Sequence, residues 1–146
     1  MSAASMDPAP RLTGSNISRL IRLPNQTGTW LLMLPTLWAL VLSSRGAPPW
    51  QLVVIFILGS FVMRSAGVIL NDLADRSFDR HVARTQQRPL ASGALNPTHA
   101  FVVLIVLLTV AALLVAQLNA LTIMLSPVAL VLAALYPFAK RIIHLP

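Results

Sequence analysis

The sequence predicts an all-α integral membrane protein, a helical bundle of about four transmembrane helices. Hydrophobic residues make up 56% of the 146-residue chain and charged residues 10%, where a soluble domain carries roughly 25% charged residues. Mean hydropathy is +0.75, and the apolar residues gather into four stretches of the order needed to cross a hydrocarbon core of about 30 Å. The charges lie between and beside those stretches, with a formal net charge of +7. Membrane helices are oriented by basic residues placed in this way, so the excess implies a membrane lipid surface and argues against nucleic acid. With no cysteine in the chain, disulfides and thiolate metal sites are excluded.

Residues 1–23 read as an N-terminal cytoplasmic tail, and residues 24–146 as a membrane domain. The tail holds Arg11, Arg19, Arg22 and one acid, Asp7, and lacks the apolar core and cleavage site of a removable signal peptide. Its NISRLIRL stretch suits a short interfacial helix with Ile17, Leu20 and Ile21 toward lipid. The first span, about 27–42, carries Trp30 for the interfacial belt and Pro35 as an expected kink, and Asn25 before it suits a helix cap.

The turn SSRGAPPWQ leads to a second span, about 52–70, whose one misfit is Arg64. A guanidinium inside a membrane span is tolerated where it faces a polar cavity or partner. Arg64 shares a helical stripe with Val68, with Asn71 or Asp72, and with Asp75 and Asp79, so it is expected to point into an acidic cavity. Residues 71–98 form the longest polar segment. Asn96 followed by Pro97 reads as the cap and first residue of a third span, about 100–116, with His99 as an interfacial side chain and not a metal ligand. Gln117-Leu118-Asn119 allows only an antiparallel pair with the fourth span, about 120–138. Pro137 is expected to break that helix, and Lys140 and Arg141 to anchor it at the headgroups. The turns on the opposite side hold only Arg45, which places both termini and residues 71–98 in the cytoplasm.

Chemistry concentrates in one place. Three of the four acids in the chain, Asp72, Asp75 and Asp79, fall within nine residues beginning at Asn71. On a helix Asn71, Asp75 and Asp79 follow an i, i+4, i+8 spacing, with Asp72 one turn from Asp75. Carboxylates stacked on one face repel each other, which suits a hard divalent cation such as Mg²⁺ better than it suits fold stability. Arg76 lies between Asp75 and Asp79, and Arg80, His81, Arg84 and Arg88 follow Asp79 with no further acid. Forked guanidinium donors match phosphate oxygens, so the segment reads as a site for a diphosphate and its metal.

NDLADRSFDRHVARTQQRPLASG resembles the first aspartate-rich motif and following arginine-rich loop of the UbiA superfamily of intramembrane prenyltransferases. The fuller pattern, HVxRTxxRPLxSG with the later YPFxKRxxHLP, is similar to the branch that acts on 4-hydroxybenzoate in ubiquinone synthesis. The resemblance implies Mg²⁺-dependent transfer of a polyprenyl group from polyprenyl diphosphate to the ring of 4-hydroxybenzoate, in a bacterial inner membrane ahead of a mitochondrial one. It implies catalytic roles for Asp72, Asp75 and Asp79, metal ligation by Asn71, Asp72, Asp75 and Asp79, and diphosphate binding by Arg64, Arg84 and Arg88. The family has about nine membrane helices and a second aspartate-rich motif, whereas no acid follows Asp79 here. The chain is therefore expected to be the N-terminal half of such an enzyme and inactive alone. Alternatives are a sibling acting on a menaquinone, tocopherol/plastoquinone or haem precursor, a cation transporter with the aspartates as an entry ring, and a structural membrane subunit.

Overall fold

A computed structural model describes residues 11–142 of the chain. Asp7 and residues 143–146 lie outside the described residues, and so do the side chains of the expected anchors Lys140 and Arg141. Six helices follow one another: α1 (Gly14–Leu20), α2 (Thr27–Ser43), α3 (Trp50–Ala74), α4 (Arg76–Asp79), α5 (Pro97–Val115) and α6 (Ala120–Ile142), with no strand among the described residues. Helix α3 is the centre, packing against each of the other five.

Three of these helices are long and apolar enough to cross a membrane: Trp50–Ala74, Pro97–Val115 and the Ala120–Pro137 part of α6. The first expected span is present as α2, a 17-residue apolar helix shorter than the others. Gln26 and not Asn25 is its N-cap; Asn25 stands one residue earlier, its Oδ1 accepting from the Thr27 N–H at 3.2 Å and the Thr27 hydroxyl at 2.9 Å. Helix α5 begins as the Asn-Pro dipeptide requires: Asn96 accepts from the Thr98 N–H at 3.3 Å and Pro97 occupies the first turn, where its missing N–H costs nothing.

Two further expectations are corrected. Pro137 does not break the last helix, since α6 runs through both Pro127 and Pro137 to Ile142. A proline removes one hydrogen bond and leaves the carbonyl four residues back without its helical donor, a local loss that membrane helices absorb when neighbouring groups take up the freed carbonyl. Leu20, expected toward lipid, is fully buried. It joins Ala66, Ile69, Leu90, Leu95, Ala100 and Leu104 in the main core cluster, with Ile21 packed against it.

That cluster fixes where rigidity lies. It draws on α1, α3, the chain between α4 and α5, and α5, all at the end of the bundle where the aspartates stand. Residues 80–96 are tied to the core at Leu90 and Leu95, while His81, Arg84, Gln86 and Gln87 stay exposed. Polar ties add to this, with Arg19 Nη2 donating to the Gln87 carbonyl at 2.7 Å, Arg76 Nε to the Leu90 carbonyl at 3.2 Å, and Thr85 Oγ1 to the Asp79 carbonyl at 3.1 Å. At the other extreme, α6 leaves Leu121, Met124, Leu125, Val128, Val131, Leu132 and Leu135 exposed, the apolar face of a helix whose solvent is lipid or further protein.

Candidate functional site

The site is built where α3 runs out of apolar sequence. Helix α3 ends at Ala74 and the four-residue α4 starts at Arg76, with Asp75 between them. The helical register nevertheless passes through the junction: the Asp75 N–H donates to the Asn71 carbonyl at 2.8 Å and the Asp79 N–H to the Asp75 carbonyl at 2.9 Å. Asn71, Asp75 and Asp79 therefore occupy three successive turns, as their spacing requires.

The side chains do not gather into one acidic cage. Asp72 is buried at 3% exposure and Asp79 at 8%, whereas Asn71 and Asp75 are half-buried. Arg88 bridges the two buried acids, its Nη1 lying 3.0 Å from Asp72 Oδ1 and 2.7 Å from Asp79 Oδ2. Asp72 Oδ1 also accepts from Arg22 Nη2 at 3.2 Å. Among the described residues no three acidic or histidine side chains form a metal-holding group.

A cavity of about 340 Å³ opens beside this cluster, lined by Arg22, Arg64, Gly67, Val68, Asn71, Arg88, Ala133, Tyr136 and Pro137. Arg64, Val68 and Asn71 share its wall, the first part of the expected stripe on α3, while Asp75 and Asp79 do not line it. The expected acidic character is corrected: three arginines face the space, and Asp72 and Asp79 stand behind Arg22 and Arg88. Arg84, expected beside the phosphates, is exposed and does not line the cavity. His81 is exposed too, its Nδ1 2.9 Å from the Ser77 carbonyl.

Two features of the site escape sequence reasoning. Arg22 counts there only as one more basic residue of the tail, yet it reaches Asp72 across 50 positions of sequence. Its backbone sits at φ 56°, making it the left-handed residue that closes α1: its N–H donates to the Arg19 carbonyl at 3.2 Å and the Leu23 N–H to the Ser18 carbonyl at 2.9 Å. The second is Gly28, in the first turn of α2. A Cβ there would overlap the guanidinium of Arg64, so the missing side chain makes room for that cation to lie against α2.

The donor chemistry around the cavity fits a divalent cation carried in with an anion. Asn71, whose amide oxygen is of the kind such a cation takes, lines the wall, and Asp75 stands one helical turn further along the chain, outside the lining. Magnesium typically takes one or two protein carboxylates and completes its shell with water and phosphate. A cavity floored by guanidinium groups supplies the complementary half, forked donors for phosphate oxygens.

Comparison with known proteins agrees with this arrangement. Residues 32–146 match the model of the UbiA prenyltransferase family. The chain is 53% identical over 128 residues to a 4-hydroxybenzoate octaprenyltransferase of Idiomarina loihiensis. Over the same length it is 51% identical to one of Coxiella burnetii and 48% to one of Vibrio parahaemolyticus. Each of these matches covers 88% of this chain and 45% of the relative, so the chain spans less than half the length of the relatives it matches. Among solved structures, the apo structure of a UbiA homolog from Aeropyrum pernix K1 superposes with a TM-score of 0.62 at 26% identity, covering 90% of this chain and 42% of that one. A family match over most of the chain, on an all-helical membrane fold with a basic cavity beside an Asn-Asp motif, makes this chain a member of the UbiA prenyltransferase family.

Proposed function

We propose that the chain takes part in Mg²⁺-dependent transfer of a polyprenyl group from its diphosphate to the aromatic ring of 4-hydroxybenzoate. Its own share of that reaction is to grip the diphosphate and its metal. The observation that carries the reading is the convergence of Arg22, Arg64 and Arg88, from three distant parts of the sequence, on one cavity that also holds Asn71. Three cations on one wall make a poor entry ring for a cation, which weighs against the transporter alternative. The names of the relatives supply the acceptor and donor classes.

Asn71 and Asp75, with Asp79 on the next turn, are the residues we assign to the metal. When bound, Mg²⁺ neutralises charge on the departing diphosphate. The arginines do the same from the protein side, holding the phosphate oxygens so that the allylic C–O bond can break with its electron pair moving to the leaving group. The ring carbon ortho to the hydroxyl of 4-hydroxybenzoate then forms the new C–C bond and gives up its proton. A polyprenyl chain is as apolar as a lipid tail, and the exposed apolar helix faces let it stay in the membrane while its head group sits in the cavity. Localisation to a bacterial inner membrane belongs to the same proposal.

Asp75→Asn tests the metal role, because it keeps shape and removes charge. Prenyl transfer by a complete enzyme carrying this chain is expected to fall by at least about 100-fold, the loss of roughly 2.7 kcal/mol of transition-state stabilisation, with the melting temperature little changed. Turnover retained at saturating Mg²⁺ would refute it.

A further inference from the structure

The Asn-Asp motif places an amide and an acid side by side in sequence, and the structure gives the neighbours different surroundings. Asn71 lines the cavity, whereas Asp72 does not. On a helix of 3.6 residues per turn Asp72 lies about 100° around from Asn71, while Asp75 lies only about 40° from it. Asp72 is turned inward at 3% exposure, and one of its oxygens accepts from both Arg22 at 3.2 Å and Arg88 at 3.0 Å.

We propose that Asp72 is a positioning residue: its buried carboxylate holds Arg22 and Arg88 at the cavity wall to receive a diphosphate, and it is not a ligand of the metal. The inference rests on the diphosphate reading of the cavity and divides the labour within the motif. An arginine presents five N–H donors in a fixed fork, so a nitrogen tied to Asp72 orients the fork and leaves other donors for phosphate oxygens. The ion pairs support the division. One oxygen of Asp72 is already held by both Arg22 and Arg88, so a divalent ion taking it would have to displace two guanidinium groups, whereas Asp79 meets Arg88 alone among the described residues. Asn71 lines the cavity and lies outside the two bridges that Arg88 makes. Without Asp72, Arg22 would also lose its one ion pair among the described residues.

The test separates the two ligands by using each alone. Purified protein in detergent is titrated with inorganic pyrophosphate by calorimetry, and separately with Mn²⁺ by electron paramagnetic resonance. Asp72→Asn, which leaves Arg88 its pair with Asp79, is expected to weaken pyrophosphate binding about tenfold while changing Mn²⁺ affinity by less than about threefold. Asp72→Glu, which keeps the charge, is expected to recover part of the pyrophosphate affinity. It carries the test by itself should the neutral variant not fold, through weaker pyrophosphate binding at unchanged Mn²⁺ affinity. A tenfold loss of Mn²⁺ affinity in either variant would make Asp72 a metal ligand and overturn the proposal, as would unchanged pyrophosphate binding. Asp75→Asn, run in parallel, judges the metal assignment separately: Mn²⁺ affinity unaffected there would remove Asp75 from the metal and leave the pyrophosphate result for Asp72 standing. Wild-type protein that binds no pyrophosphate overturns the cavity reading and this proposal together.

Discussion

At the scale of single residues, the site depends on which groups are kept out as much as on which are present. Arg64 is the one basic residue within an apolar span, and it reaches the cavity across the bare backbone of Gly28. A methyl at that position meets the guanidinium and has to move it, which the flexible arginine stem allows at little cost in folding. Gly28→Ala should therefore act with opposite signs on stability and binding. Helix propensity favours alanine by up to about 1 kcal/mol, so the melting temperature should hold or rise slightly. Pyrophosphate affinity should fall about tenfold, since displacing one cation of three by an ångström or so loses a charge-assisted contact. Calorimetry and thermal unfolding on the same preparation check both signs, and unchanged affinity would show that Arg64 does not touch the anion.

Elements matter here through what they carry. Helix α1 is only seven residues, too short to hold itself in water, and it is held by Leu20 in the core and by the Asn16 Nδ2 donating to the Ala94 carbonyl at 3.3 Å. Two residues after Leu20 comes Arg22, so docking of α1 sets the position of a cavity cation. Leu20→Ala is expected to cost about 2–5 kcal/mol of stability, the range for emptying a fully buried leucine site. It should also weaken pyrophosphate binding, because Arg22 loses its mount. A variant that melts normally and binds pyrophosphate normally would mean that α1 is not what positions Arg22. The stretch NISRLIRL reads naturally as amphipathic from its own periodicity, and that much was legible. Which solvent its apolar side would meet was not, since lipid and a protein core are equally apolar to a leucine.

The whole molecule has a direction. The core cluster, the cavity and most basic residues sit at one end, and the opposite turns carry Arg45 alone among the charged residues. By the charge bias of loops the site end is expected in the cytoplasm, where soluble metal ions and acceptor are at hand. The absence of cysteine makes this simple to check with introduced thiols at two exposed positions, Ser92 and Gln117. In intact cells a membrane-impermeant maleimide should label Gln117→Cys, and should label Ser92→Cys only after permeabilisation. The reverse pattern would turn the molecule over and place the cavity outside.

Composition and periodicity were enough for the class of this protein: apolar runs name the spans, Asn-Pro starts α5, and three acids crowded beside Asn71 mark the site before any coordinates. Those features are local, and a helix converts local spacing into a shared face with little ambiguity. Tertiary structure alone decided that the cavity wall is basic, that Asp72 and Asp79 lie behind Arg22 and Arg88, that Arg84 stands apart, and that Leu20 faces protein. Each of these depends on partners tens of residues away, and such pairings are chosen by packing against α3, which no window of sequence contains.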